Sequence, residues 1–190
     1  MKKYFLILTV FIIALVTSAC SCALNRSTLS KPDVYKLNQK ASEYMALGDY
    51  DSAIARLTSI NDLDPNHPEV YYNLGIAYLK KEDFPKAVAA LNNAVTLKPD
   101  FSEAYYSLGV AYESWCDKQI SELGATKDIA AKTQLRAQIT QNIQNIYRSY
   151  QAFLEKAPEG AEKQEVQGQL NYLGEKYKDF AISNNAAFRE

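Results

Sequence analysis

A repeat of 34 residues constrains this chain more than any other feature of its sequence. In residues 68–99, apolar and small side chains form two groups, and most of them have a counterpart 34 positions earlier or later. These side chains are Tyr71, Leu74, Gly75, Tyr78, Ala87, Leu91, Ala94 and Pro99. Within each group they recur at three or four residues, which places them on one face of a helix. The period therefore predicts stacked pairs of helices, each pair burying a face that it could not bury alone.

The units on either side repeat this pattern with substitutions. The preceding unit has Leu37, Lys40, Ala41, Tyr44, Ala53, Leu57, Ile60 and Pro65 at the equivalent positions, and the following unit begins with Tyr105, Leu108, Gly109 and Tyr112. Residues 48–51 and 82–85 are rich in Gly, Asp and Pro, and we expect turns there. Pro65 and Pro99 end the second helix of each pair, because proline cannot continue the helical hydrogen-bond ladder.

The residues and their period resemble the tetratricopeptide repeat family. The resemblance implies an all-α, TPR-like solenoid of helical hairpins, with repeats at residues 34–67 and 68–101. The first repeat departs from the pattern at Lys40, which stands where the family has Leu. A terminal repeat has one face in solvent, and a lysine is acceptable on such a face.

The third repeat, residues 102–160, exceeds the period by about 25 residues, since Pro158 follows Pro99 by 59 positions. We expect both of its helices to be lengthened, with Gly124 at the tip. The apolar positions that predict the second long helix are Leu135, Ile139, Ile143, Ile146, Tyr150 and Phe153, and the amides expected on the outer surface are Gln134, Gln138, Gln141, Asn142, Gln144 and Asn145. This hairpin either projects beyond the array or folds over it. Residues 161–190 are predicted to be a capping helix and a tail.

The N-terminus has the pattern of a cleaved signal. Lys2 and Lys3 precede an apolar run over residues 5–16, and small residues follow it, so residues 1–19 are predicted to be a signal peptide. The apolar run is shorter than the roughly 17 to 25 residues of a membrane-spanning helix. A transmembrane helix and an ordinary secretory peptide are the alternatives.

The cysteine that follows this segment resembles the acceptor of bacterial lipoproteins. By that resemblance Cys20 carries acyl chains, although Thr17 stands where the usual pattern has Leu. Residues 20–33 are then the lipidated N-terminus and a flexible tether, and several acyl chains would hold the protein at a membrane. An exported chain could form a disulfide between Cys22 and Cys116, although we expect Cys116 to be a buried thiol.

The sequence offers little for catalysis. His67 is the single histidine and lies in a predicted turn, without a nearby cluster of metal ligands. There is no phosphate-binding glycine motif, so we predict no catalytic site, no metal and no cofactor. The net charge of −1, with both signs interspersed, gives no support to nucleic-acid binding.

The resemblance implies a binding surface instead. In the family, the first helix of each repeat lines the concave face and holds a peptide or a helix of a partner protein. The matching positions here are Tyr35, Asn38, Ser42, Met45, Glu69, Tyr72, Ile76, Leu79, Glu103, Tyr106, Val110 and Glu113. The alternative is that a later helix, within residues 162–180, packs into this strip and closes it. Of the Lys, Arg and Asn clamp with which some members grip acidic chaperone tails, only Asn73 has a match, so the sequence does not predict that partner.

These observations predict a non-enzymatic scaffold at the bacterial cell envelope, anchored by lipid and facing the periplasm. It would bind one component of an envelope assembly, such as a pilus, a secretion pore or the machinery of outer-membrane biogenesis. Ser21 after the acceptor cysteine favours the outer membrane by similarity to enterobacterial lipoproteins. The alternatives are a periplasmic chaperone that holds many unfolded clients and an enzyme of cell-wall or lipid metabolism.

Overall fold

The computed structural model describes residues 31–181, and over this range the secondary structure is entirely helical. Three hairpins follow one another along the chain. Their helices are α1 (Lys31–Ala46) and α2 (Tyr50–Leu63), α3 (Pro68–Lys80) and α4 (Phe84–Leu97), and α5 (Ser102–Ala125) and α6 (Ile129–Lys156). A further helix, α7 (Ala161–Lys176), and a short turn, α8 (Lys178–Ala181), pack against α6. The predicted all-α solenoid of helical hairpins, with an elongated third hairpin and a C-terminal capping helix, is confirmed.

The first helix begins earlier than the sequence analysis predicted. Residues 31–33, expected at the end of the tether, form the first turn of α1. Proline is acceptable in a first helical turn, and an acidic residue such as Asp33 is favourable near the positive end of the helix dipole. The predicted signal peptide, Cys20, Cys22 and the last nine residues of the tail lie outside the described residues.

The turns inside the first two hairpins have the same backbone conformation and the same helix cap, 34 residues apart. Gly48 and Glu82 both have positive φ angles, of 76° and 58°. The next residue then caps the following helix: the carboxylate of Asp49 accepts from the Ser52 amide at 3.1 Å, and that of Asp83 accepts from the Lys86 amide at 3.4 Å. These caps satisfy amide groups that have no partner within the helix. Hydrogen bonds from the side chains of Ser52 and Lys86, and then the caps, lower the pKa of Asp49 and of Asp83.

Glycine permits the close approach of helices within two of the hairpins. A Cβ atom at Gly75 would lie 2.5 Å from Leu91 Cγ, and one at Gly109 would lie 2.6 Å from Tyr150 Cε1. In the first repeat the equivalent position is Ala41, which is completely buried. The small side chains that the period singled out are therefore required by contacts between the two helices of a hairpin.

The elongated hairpin contains a feature that the sequence analysis placed wrongly. Asn142, expected on its outer surface, is buried and donates from Nδ2 to Gln119 Oε1 at 2.9 Å. Gln119 Nε2 in turn donates to Gln138 Oε1 at 3.3 Å. Next to these amides Cys116 is buried as predicted, with a free thiol.

The far end of the elongated hairpin extends into solvent. Residues 127–134 are all exposed, and the turn lies at residues 126–128 rather than at Gly124. Asp128 caps α6 by accepting from the Ala131 amide at 2.7 Å. Of the two arrangements left open by the sequence, the projecting hairpin is the one found.

No helix within residues 31–181 combines the length and the apolar character needed to cross a bilayer.

Candidate functional site

The predicted binding strip runs along the first helix of each hairpin. Its twelve members are exposed or half-buried, and none lies in the core. They are Tyr35, Asn38, Ser42 and Met45 on α1, Glu69, Tyr72, Ile76 and Leu79 on α3, and Glu103, Tyr106, Val110 and Glu113 on α5. The fold therefore places these side chains on the first helix of each hairpin, where the family resemblance implied that they would lie.

Contacts between successive repeats fix the part of the strip that lies on α1 and α3. Asn73 Nδ2 donates to Asn38 Oδ1 at 2.9 Å, which links α3 to α1. The ring of Tyr72 lies 5.1 Å from that of Phe101, centroid to centroid, in the loop before α5. These contacts hold Tyr72 in place and leave it half-buried.

Part of the strip borders a groove where α3 and α5 meet the end of α6 and the start of α7. It encloses a cavity of about 280 Å³. The residues that line this groove are Tyr72, Glu103, Tyr106, Ser107, Phe153, Glu162, Glu165 and Val166. Tyr106 stands between the cavity and the core, with its ring centroid 5.9 Å from Tyr150 and 5.6 Å from Phe153, and 40% of its surface remains exposed.

Only three of the twelve predicted residues line this groove: Tyr72, Glu103 and Tyr106. The four members on α1 belong to a separate stretch of the same surface. Phe153 was predicted only as part of the apolar stripe of α6. The sequence does not reveal Glu162, Glu165 or Val166 as site residues, because the 34-residue period stops before α7 and gives no information on where that helix packs. Ser107 could have been found, since it lies 34 positions after Asn73.

Glu113 must be removed from the predicted partner-binding residues. Its carboxylate accepts hydrogen bonds from Tyr150 Oη at 3.3 Å, Gln169 Nε2 at 3.1 Å and Lys176 Nζ at 3.1 Å. Only 17% of its side chain is exposed. The helix α7 therefore covers the α5 end of the strip, as the alternative prediction held, but it borders the groove around Tyr106 without filling it.

A polar cluster around Asp117 attaches α7 to the elongated hairpin. Lys176 Nζ lies 2.9 Å from Asp117 Oδ2, and Tyr177 Oη donates to Asp117 Oδ1 at 3.0 Å. Burial acts to lower the pKa of Lys176, but hydrogen bonds to Asp117 and Glu113 outweigh it, so the pKa is raised. Burial, and then the charge of Asp117, raises the pKa of Tyr177. The cluster therefore holds a charged lysine and neutral tyrosines at neutral pH.

His67 has a structural position. It precedes α3, and its Nε2 lies 2.9 Å from Asp64 Oδ2 within the turn between the first two repeats. Within residues 31–181, no three or more His, Cys, Asp and Glu side chains gather as a metal site would require.

The chain is similar to known proteins in part of its sequence and in its fold. The tetratricopeptide repeat family matches residues 44–111. No curated protein matches this chain.

Solved structures with a similar fold include three tetratricopeptide repeat domains. The first TPR of Spaghetti (RPAP3), bound to the HSP90 peptide SRMEEVD, has a TM-score of 0.60 at 22% identity, over 80% of this chain and 98% of its own. The Sgt2 TPR domain from Aspergillus fumigatus has a TM-score of 0.55 at 19% identity, over 86% of this chain and 89% of its own. The TPR2B domain of yeast Sti1, in complex with pHsp70, has a TM-score of 0.52 at 21% identity, over 75% of this chain and 96% of its own. The family match is limited to residues 44–111, and the likeness to these structures shows that the fold is shared.

Proposed function

We propose that this protein is a non-enzymatic scaffold that binds a segment of a partner protein in the groove between α3, α5 and α7. The observation that carries the proposal is the groove itself, a concave site of about 280 Å³ lined by the half-buried ring of Tyr72 and the exposed ring of Tyr106. Tyrosine suits protein recognition, because it offers a large contact area for a small loss of side-chain freedom. Peptide complexes of the TPR domains of Spaghetti and Sti1 support a peptide as the ligand.

The size of the site limits what the partner can present. A cavity of this volume is at the small end of ligand sites, and it accepts one or two side chains rather than a folded domain. The partner element is therefore a short extended segment or one face of a helix. It would continue from the groove along Ile76 and Leu79, which are half-buried on the same helix as Tyr72.

We further propose that the scaffold is attached to the bacterial cell envelope through acyl chains on Cys20. The support is the sequence of residues 1–20, with basic, apolar and small-residue segments in order before the cysteine. The partner is then one component of an envelope assembly that faces the periplasm. The test is metabolic labelling with an alkyne fatty acid. We expect label on the native chain and none on Cys20→Ser, whereas Cys22→Ser should be labelled normally.

Photo-crosslinking in the native cell tests the binding function directly. A photoreactive amino acid at Tyr72 or Tyr106 should capture one and the same protein, and one at Ser59, an exposed residue of α2, should not. Capture should fall when Tyr106→Ala or Leu79→Ala is introduced beside a reporter at Tyr72.

The outcome also separates the alternatives. Capture of many unrelated proteins from Tyr72 would favour a chaperone that holds unfolded clients. Capture that is equal from Ser59 and from Tyr106 would contradict the assignment of the groove.

A further inference from the structure

The groove combines aromatic surface with carboxylates of two helices. Glu103 on α5 and Glu162 and Glu165 on α7 line it, and all three are exposed. The other lining residues are Tyr, Phe, Val and Ser, so no lysine or arginine of the described chain contributes to its wall. A formal charge of −3 therefore faces a cavity large enough for a side chain.

Helix geometry accounts for part of this charge. Glu103 and Glu162 lie in the first turns of α5 and α7, where the helix dipole stabilises an acidic residue. Glu165 lies one turn further into α7, beyond the reach of that effect. The ion pairs and hydrogen bonds of the described residues give Glu162 and Glu165 no cationic partner, and Glu103 receives only the hydroxyl of Ser102 at 3.1 Å.

Ser107 supplies an independent indication that the groove receives a ligand. Its side chain lines the cavity, and the residue is only 7% exposed. Ser149, the other buried serine of the third hairpin, donates to the carbonyl of Asn145 at 2.7 Å. The Ser107 hydroxyl has no such bond within the described chain. Its hydroxyl is not fully enclosed by protein but reaches the cavity, where a bound group can supply a hydrogen-bond partner.

We infer that the groove recognises a basic side chain, Lys or Arg, of the partner protein. This inference rests on the proposed binding function and names the chemistry of the bound segment. The aliphatic stem of such a residue would pack on Phe153 and Val166, and its charged head would face Tyr72 and Tyr106 and the three carboxylates. A cation near a tyrosine ring is attracted by it, and carboxylates accept charge-assisted hydrogen bonds. An acidic segment would be repelled by the same surface.

Selection from a random dodecapeptide phage library tests the inference. The full-length protein is immobilised in mild detergent, and phage that also bind the Tyr106→Ala variant are removed, so that the remaining peptides require the groove. We expect Lys and Arg to be enriched, and Asp and Glu depleted, relative to the unselected library.

Affinity measurements on the most enriched peptide then isolate the contribution of charge. Fluorescence anisotropy should show a loss of about threefold to tenfold for Glu103→Gln/Glu165→Gln, and a similar loss when the basic residue of the peptide is replaced by norleucine or citrulline. The control is Glu43→Gln/Glu122→Gln, which removes two exposed carboxylates elsewhere and should bind as the wild type does. Added salt should weaken the wild-type complex more than the Glu103→Gln/Glu165→Gln complex.

The possible failures have different meanings. The inference is overturned if the selected peptides require Tyr106 but show no enrichment of Lys and Arg. It is also overturned if they bind Glu103→Gln/Glu165→Gln as tightly as the wild type. Either result leaves the proposed binding function standing. If no peptide depends on Tyr106 and crosslinking also captures nothing, the proposed function fails. If Arg189→Ala strengthens peptide binding, the groove holds the end of this same chain, and the inference of a basic partner residue is overturned.

Discussion

The helices of the first two hairpins contain 13 to 16 residues, whereas α5 and α6 contain 24 and 28. The two regions also differ in what they bury. Four polar side chains are buried within the described part of the chain, and all four belong to the third hairpin: Ser107, Gln119, Asn142 and Ser149. The buried residues of α1 to α4 are apolar or glycine.

The difference follows from the neighbours that each region has. A regular repeat packs against its neighbouring hairpin or hairpins along most of its length, so apolar packing fixes its position. The outer part of α5 and α6 extends beyond that support, and its register depends on contacts between the two helices themselves. A slide of one helix past the other would leave the amides of Gln119 and Asn142 without partners, at a cost of about 1 to 3 kcal/mol for each group.

The same region forms the closed end of the binding strip. Glu113 and Asp117 attach α7 to the hairpin, and the start of α7 then supplies Glu162 and Glu165 to the groove. The regular repeats thus provide Tyr72 alone among the lining residues of the groove, and the modified repeat with its cap provides Tyr106, Phe153 and the three carboxylates.

The largest expected effect concerns the glycine that recurs in the second and third repeats. Gly109→Ala places a methyl group against the ring of Tyr150, which is fully buried and bonded to Glu113. We expect the free energy of unfolding to fall by about 3 kcal/mol, the upper end of the range for overpacked cores. Gly75→Ala should cost less, because Ala41 already occupies the equivalent position of the first repeat.

Urea unfolding followed by Trp115 fluorescence measures this difference. Gly168→Ala is the control, since nothing lies within 4 Å of a Cβ atom there, and better helix propensity should stabilise it by about 0.5 to 1 kcal/mol. If contact with the Tyr150 ring causes the loss, Gly109→Ala should lower the free energy of unfolding by less in a Tyr150→Leu background. Equal costs in both backgrounds would contradict it.

The sequence predicted the regular part of the molecule better than the part that defines the site. Spacing of three and four residues correctly identified the buried stripe from Ile139 to Phe153, because a helical period determines which side chains share a face. The same period cannot determine which distant helix covers that face. Glu113 was for this reason assigned to a partner rather than to α7. Asn142 was assigned to solvent because an amide is polar, although its partner Gln119 lies on the other arm of the hairpin.

The second expected effect is a loss of stability in alkaline solution that begins in the third hairpin. Burial raises the pKa of the Cys116 thiol from 9.0 to about 12, and burial also raises those of Tyr150 and Tyr177 above 10. Between pH 9 and pH 12 the unfolded chain loses these protons before the folded chain does. Stability is therefore complete below pH 9 and falls as the pH rises, by about 1.4 kcal/mol per unit for each group that titrates.

Urea unfolding at pH 8 and pH 10 checks this expectation. The chain has one tryptophan, Trp115, which lies on α5, so its fluorescence reports the third hairpin, whereas far-ultraviolet circular dichroism reports all helices. We expect the fluorescence midpoint to fall more than the dichroism midpoint. Cys116→Ala should remove the part of the loss that begins near pH 9. If the fluorescence and dichroism midpoints equal each other at pH 8 and again at pH 10, alkaline solution destabilises the two regions equally, and the expectation is wrong.

The smallest expected effect concerns the turn that the first two hairpins share. Gly48 and Glu82 both adopt positive φ, but a residue with a Cβ atom pays about 1 to 2 kcal/mol for this conformation, while glycine does not. Glu82→Gly should therefore raise the free energy of unfolding by several tenths of a kcal/mol, after allowance for the greater freedom of glycine in the unfolded chain. Gly48→Ala should lower it by about 1 kcal/mol, since the space around that position is open and only the backbone conformation opposes the change. Gly48 and Glu82 occupy the same position in successive repeats. One substitution removes glycine from this position and the other introduces it, so their effects on the urea midpoint should have opposite signs. If both lower the midpoint, the side chain of Glu82 stabilises its turn by more than its backbone conformation costs.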